Sequence, residues 1–205
     1  MFIRELTGYK ENPIYQKAKS IFVSTPRKGQ TRSKEDIRDE KLSNFTKELE
    51  KFKFKHIGSG SFGSVYSKAG YPWIFKIFNT DPAYLYYLKW AVLHQNNPHV
   101  PKIKGKLLKI NDDTYAVRIE KLKLFVRKNE KLAQFQQRLD KYIGTRRKLT
   151  TVDHNWFEQN FPKMIELIDA MKNSGYPFDI HMNNMMMRGN VPVIIDPIYL
   201  PKNLE

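Results

Sequence analysis

Apolar residues change their spacing several times along the chain, and each change predicts an element. Ile37, Leu42, Phe45 and Leu49 recur every three to five residues between Lys34 and Glu50, which suits one amphipathic helix. A shorter helical pattern occupies Pro13–Ser20, and the polar stretch Thr25–Lys34, with Pro26, Arg27, Lys28, Gly29 and Arg32, reads as a basic loop. Residues 1–50 are therefore expected to form a basic N-terminal extension carrying a helix. From Phe52 to Phe78 the rhythm shortens. Phe52, Phe54 and Ile57, then Val65 and Tyr66, then Trp73–Phe78 are separated by glycine clusters and Gly70–Pro72, which predicts three antiparallel strands with tight turns.

Asp81–Gln95 returns to helical spacing through Tyr84, Leu85, Tyr87, Leu88, Ala91 and Val92, with Asp81 as N-cap, Pro82 at the first helical position and Asn97–Pro98 as the stop. Two more strands, Lys106–Ile110 and Thr114–Ile119, flank the turn Asn111–Asp112–Asp113. Leu122–Ile143 and Trp156–Asn173 read as helices, the second with Phe157, Phe161, Met164, Ile165, Leu167, Ile168 and Met171 on its apolar stripe. A hairpin follows: Met185–Met187, a turn at Gly189–Asn190, and Val191–Ile195.

Composition narrows the class. The 205 residues suit one or two domains, and 40% hydrophobic residues are enough to bury a core. Without cysteine there are no disulfides and no thiolate chemistry, so a cytoplasmic setting is expected. No run approaches the roughly 18 apolar residues of a membrane span, and Met1–Glu5 lacks the order of a signal peptide. A soluble, unprocessed protein is expected, with no membrane partner. Thirty-six Lys and Arg against twenty-one Asp and Glu give a net charge of +15, a field that attracts nucleic acid, acidic proteins or nucleotide phosphates without choosing among them.

Three constellations carry candidate chemistry. Gly58-Ser59-Gly60-Ser61-Phe62-Gly63-Ser64-Val65 is a G-x-G-x-x-G-x-V run, in which glycines let backbone amides approach phosphate oxygens. A dinucleotide fold would open a helix here, whereas Ser64–Ser67 continues as strand, which favours a kinase lid. Lys76, bracketed by Ile74, Phe75, Ile77 and Phe78, is placed to hold α- and β-phosphates. Asp179 precedes Asn184 at the D-x-x-x-x-N interval, a hairpin follows, and Asp196 ends its second strand. Phosphoryl transfer needs one carboxylate at the attacking hydroxyl and an Asn–Asp pair on magnesium. Taken singly, these features are also a structural glycine turn, a strand lysine, a capped loop and a strand end. Their occurrence in this order favours the phosphate reading.

Across about residues 52–200 the sequence resembles the protein-kinase-like fold. Tyr176-Pro-Phe-Asp179-Ile-His181-Met-Asn-Asn184-Met185-Met186, followed by Val193-Ile194-Ile195-Asp196-Pro197, resembles the early serine/threonine kinases of short-tailed, teseptimavirus-type coliphages, which use an F-D-x-H-x-x-N-x-M loop and an aspartate-proline pair. The resemblance implies an α+β fold of two lobes, with a five-stranded antiparallel N-lobe over 51–121 and a reduced helical C-lobe over 122–205. It implies ATP and Mg2+ as cofactors, and a phage-encoded enzyme in the host cytoplasm that phosphorylates itself and host proteins of transcription or RNA processing. By position, Gly58, Ser59, Gly60, Ser61, Phe62, Gly63 and Val65 would form the nucleotide lid with Lys76, and Glu120–Leu122 the hinge at the adenine. Asp179 would orient the substrate hydroxyl, Asn184 and Asp196 would bind magnesium, and His181 stands where many protein kinases place a lysine and small-molecule kinases often a histidine.

Three departures are visible. Asp81–Gln95 holds no glutamate to pair with Lys76, Phe178 replaces the arginine that precedes the catalytic aspartate, and nine residues follow Asp196, so no activation segment is expected. A kinase of small metabolites, and a pseudokinase that binds and inhibits a host protein, are the alternatives.

Overall fold

A computed structural model describes residues 34–60, 63–144 and 150–201. The patterns at Pro13–Ser20 and Thr25–Ser33 lie outside the described residues. Helix α1 (Lys34–Lys51) presents Leu42, Phe45 and Leu49 on one face. It ends where Lys53 adopts φ 65 and Phe54 N–H donates to Leu49 O at 2.9 Å, a left-handed cap that turns the chain into a strand.

The next strands are β1 (Lys55–Gly60), β2 (Gly63–Ser67), β3 (Trp73–Asn79), β4 (Leu108–Lys109) and β5 (Thr114–Glu120). They form a five-stranded antiparallel sheet in the order β1-β2-β3-β5-β4. Phe45 and Leu49 of α1 bury against Phe54, Phe75, Ile77, Ile110 and Ala116, with Phe75 edge-on to both Phe45 and Phe54. The helix expected as part of an extension thus supplies two of the seven buried residues of this core. Its apolar stripe has a sheet face to cover, and the stretch that the pattern extends over Lys106–Ile110 pairs only at Leu108 and Lys109.

The chain divides into two compact units, the first running to Thr80 and including Ile103–Lys121, the second comprising Asp81–Lys102 and Leu122–Glu205. The second opens with α2 (Pro82–Leu93), capped as its sequence predicts: Asp81 Oδ1 accepts from the amides of Ala83 and Tyr84 at 2.9 and 3.2 Å, and Pro82 sits in the first turn.

The stretch expected as one helix from Leu122 begins differently. Strand β6 (Lys123–Leu124) comes first, and α3 (Glu130–Gly144) starts only after Asn129, whose Oδ1 accepts from Leu132 N–H at 3.0 Å. Phe125 is buried while Leu124 and Val126 are exposed, a period of two that belongs to extended chain. The helix expected over Trp156–Asn173 is two helices, α4 (Thr151–Asn160) and α5 (Pro162–Asn173). Pro162 has no N–H and cannot continue α4, so the chain breaks at Phe161 and restarts with proline in the first turn. Thr150 begins α4 by accepting from Asp153 N–H at 3.1 Å.

Strands β7 (Met185–Arg188) and β8 (Val191–Ile194) form the expected hairpin, with Gly189 at φ 63 in its turn. With β6 they make a three-stranded sheet. The described residues are thus a mixed α/β protein with a five-stranded antiparallel sheet and five α-helices. No helix among them is long and apolar enough to cross a membrane.

Candidate functional site

In the first unit strand register sets the geometry. Gly58 stands opposite Val65, Val65 opposite Lys76, and Lys76 opposite Val117. Residues directly opposite share a face, so these four form one row across the sheet. Helix α1 covers the other face, where Tyr66, Phe75, Ile77 and Ala116 point. Lys76 is half-buried on the face turned away from that helix, where Phe78 and Val117 are buried.

The glycines divide by the space around them. A Cβ on Gly58 or Gly60 would meet nothing within 4 Å, whereas one on Gly63 would lie 2.2 Å from the Ile77 carbonyl oxygen. Gly63 is needed for β2 to approach β3, while the space around Gly58 and Gly60 is open. Ser59 belongs to the opposite face. It lines a cavity of about 280 Å3 with Leu42, Thr46, Ser64, Tyr66 and Ile77, and its Oγ is 2.8 Å from His56 Nε2 and 3.1 Å from Ser64 Oγ. Ser61 and Phe62 lie outside the described residues. Glu120 ends β5 opposite Trp73, and Leu122 is the first residue of the second unit after the crossing of the chain at Lys121.

In the second unit side chains and loop amides set the geometry. Phe178 pairs with Ile198, Asp179 N–H donates to Pro197 O at 2.8 Å, and Tyr199 N–H to Pro177 O at 3.1 Å. The segment holding Asp179 therefore runs beside the one that follows β8. Asn184 Nδ2 donates to the Asp179 carbonyl at 2.7 Å and to its carboxylate Oδ2 at 3.1 Å. Those two acceptors fix the amide, because turning it over would set Oδ1 against a carbonyl and a carboxylate. Oδ1 is consequently carried on the other arm. Ile195 N–H donates to Asn184 O at 2.9 Å, which sets Asp196, its neighbour in sequence, next to Asn184 along the backbone.

His181 lies 3.6 Å through Nε2 from Asp179 Oδ1, and Asn183 N–H donates to its Nδ1 at 3.2 Å. Nε2 also lies 3.3 Å from Asn184 Nδ2, so the ring touches both the carboxylate and the amide. Asp179, His181 and Asn184 are thus brought together, with Asp196 alongside.

Several residues that hold this loop carry no motif. Tyr87 of α2 donates its hydroxyl to Ile194 O at the end of β8. Burial, and then the Asp196 carboxylate, hold the Tyr84 phenol well above its usual range; burial also raises Tyr87, to which Tyr84 and Asp196 add. His99 Nδ1 donates to Pro192 O at 2.8 Å, and Ile194 N–H donates back to His99 O at 2.9 Å. The Arg188 guanidinium donates to Pro98 O and Val100 O at 2.8 and 2.9 Å, and Asn97 Nδ2 to Lys163 O at 2.8 Å. The sequence showed Asn97–Pro98 only as a helix stop and drew no attention to His99. Two polar residues flanking a proline, in a chain with buried hairpin strands, were the available signal.

Among the described residues no group of three or more His, Cys, Asp or Glu is placed to hold a metal by itself. Magnesium bound with a nucleotide does not require one, since phosphates and water complete its six oxygens around one or two carboxylates. Asn184 Oδ1 and the Asp196 carboxylate are hard oxygen donors and fit that chemistry.

No family model matches the chain, and no curated protein matches it in sequence. Among solved structures it is similar to the kinase PK-1 of Cydia pomonella granulovirus, with a TM-score of 0.41 and 13% identity over 77% of this chain. The chain spans 57% of the length of that one, and likeness of this degree says nothing of activity.

Proposed function

We propose that this chain is a protein-kinase-like phosphotransferase that uses ATP and magnesium to phosphorylate serine or threonine hydroxyls of proteins. The observation that carries the reading is the closed loop in which Asn184 grips Asp179 while Ile195 is bonded to Asn184, so that one carboxylate, one amide oxygen and a second carboxylate come from a single short stretch. The row of Gly58, Val65 and Lys76 supports it from the first unit, as does an antiparallel sheet of five strands with a helix between the third and fourth.

In this reading Asp179 accepts the proton of the attacking hydroxyl and orients it. The Asn184 amide keeps that carboxylate in place, and the His181 imidazole stands beside both. Asn184 Oδ1 and Asp196 would hold magnesium, which when bound neutralises charge on the phosphoryl oxygens. Lys76 takes the α- and β-phosphates, and Gly58 and Gly60 leave room for backbone amides to reach them. Val65 and Val117, flanking Lys76 on the same face, supply apolar surface for the base, with Glu120 and Leu122 at its edge. The coliphage kinase resemblance extends the reading to a cytoplasmic enzyme acting on itself and on host proteins. His181 favours a second reading, a kinase of small metabolites, because an imidazole beside the carboxylate is the small-molecule pattern.

The test is transfer of label from γ-labelled ATP, with magnesium, to the chain itself and to a bacterial lysate. Asp179→Asn is expected to lower transfer by about 100- to 10,000-fold, the usual worth of a positioned general base, with an unchanged melting temperature. Equal labelling by the two proteins would remove Asp179 from the chemistry and end the reading. ATP consumption without protein labelling would select the metabolite kinase, and binding without turnover the pseudokinase.

A further inference from the structure

Strand β6 delivers a short basic segment to the Asp179–Asn184 loop. Lys123 pairs with Met187 and Leu124 with Met186, antiparallel, so the residues after Leu124 run back past Met185 toward the loop. The approach ends in a contact: Arg127 Nη2 lies 3.9 Å from Met182 Sδ, and Met182 is the neighbour of His181. Both Arg127 and Met182 are exposed.

An exposed arginine is ordinarily mobile and recognises nothing in particular. This one is fixed at its inner end, since Nε donates to Gln136 Oε1 at 2.5 Å. Gln136 is only 4% exposed, and its own Nε2 donates to Asp140 Oδ2 at 3.3 Å. The bond at Nε leaves Nη1 and Nη2, the latter held only by the long 3.9 Å contact with Met182 Sδ, as the paired donors that match a carboxylate. The surroundings keep the charge positive. Lys128 follows in sequence and is exposed, and Lys131 stands over the Phe161 ring, so Arg127 and these two lysines outnumber the charge of Glu130, which it keeps while accepting from the neutral Gln134 amide.

Resting on the kinase reading above, we propose that Arg127 is a specificity-determining residue that binds an acidic side chain of the protein substrate, a few residues from the phosphorylated serine or threonine. The hydroxyl engages Asp179, and a substrate strand leaving it along the Met182 side meets the Arg127 fork. A glutamate or aspartate there gains two charge-assisted hydrogen bonds to a guanidinium that is already held. A lysine or arginine at the same place meets like charge.

Matched serine peptides carrying Glu, Gln or Lys beside the acceptor serine test this with the full chain, reading kcat/KM for each peptide and KM for ATP. Wild type is expected to favour the Glu peptide over the Gln peptide by about tenfold, the worth of a charge-assisted hydrogen bond at an accessible site. Arg127→Gln should bring that ratio near one, Arg127→Lys should restore part of it, and Arg127→Glu should favour the Lys peptide. The exposure of Arg127 means that these variants should fold, which melting temperatures verify. The proposal is overturned if wild type treats the Glu and Gln peptides alike, if the preference survives in Arg127→Gln, or if the variants raise KM for ATP while the peptide ratio holds, which would assign the guanidinium to nucleotide phosphate. Absence of transfer to any peptide or protein by wild type would overturn the kinase reading itself, and this proposal with it; lost discrimination with transfer retained touches this proposal alone.

Discussion

In the first unit Val65, Lys76 and Val117 line up because three strands pair in register, with an apolar core of Phe45, Leu49, Phe54 and Phe75 behind them. In the second, Asp179 and Asn184 are joined by a side-chain hydrogen bond, and the hairpin beside them is tied down by Tyr87, His99 and Arg188, each bonded to a backbone carbonyl. Register positions a residue through many weak, repeated contacts, so a single substitution seldom moves the row. A loop is positioned by a few polar anchors, each costly to leave unmade in a buried setting. Rigidity of the Lys76 row thus comes from backbone pairing, and the finer placement of a carboxylate comes from individual donors.

Three experiments sharpen or break that contrast. Phe45→Ala should cost about 3–5 kcal/mol in urea unfolding, as for other fully buried phenylalanines, because α1 closes the core behind the Lys76 row. A loss near zero would return α1 to the status of an extension. Gly63→Ala should cost about 1–3 kcal/mol, since its Cβ has no room beside the Ile77 carbonyl, whereas Gly60→Ala should stay within about 0.5 kcal/mol and act on nucleotide affinity instead. Equal stability losses would mean that both glycines serve packing alone.

The smallest effect concerns the anchors and is read through pH. Burial, reinforced by the Arg188 charge and opposed by the bond to Pro192, lowers the pKa of His99 from its ordinary value of about 6.5. The unfolded chain therefore binds the proton more readily than the folded one, and this contribution to stability is complete above pH 6.5 and declines as pH falls below it toward the depressed value. Unfolding curves between pH 7 and 5 should show the decline in wild type and not in His99→Asn. Asp153 acts in a lower window. The Thr150 hydroxyl, joined by Arg138, holds its carboxyl below the ordinary range, so its contribution is lost only in stronger acid.

Local chemistry made much of this legible beforehand. Asp81-Pro82 announced the start of α2 through a side-chain acceptor and a proline that needs no partner, and the glycine clusters and the Gly189–Asn190 turn marked where strands reverse. Other features depended on distant partners. Lys123–Val126 has apolar residues that satisfy a helical count, but pairing of β6 with Met186 and Met187 fixes it as extended chain. Pro162 could have been read as the break between α4 and α5, yet the unbroken apolar stripe across it concealed the boundary. The burial of Phe45 and Leu49 required a sheet face that α1 alone does not announce.

At the candidate site the same division holds. The spacing of Asp179, Asn184 and Asp196 is written in the sequence, because four intervening residues of loop and a tight hairpin return the chain by local geometry. That Ser59 faces α1 while Gly58 shares the Lys76 row depends on a bulge between His56 and Gly58, which shifts the pairing by one residue. That Arg127 is a fixed donor depends on Gln136, nine residues away on a different element. Short-range stereochemistry fixes turns, caps and motif intervals, so sequence alone determines them. Which face a side chain takes and what holds it still are settled by contacts between distant segments, which exist only once the chain has folded.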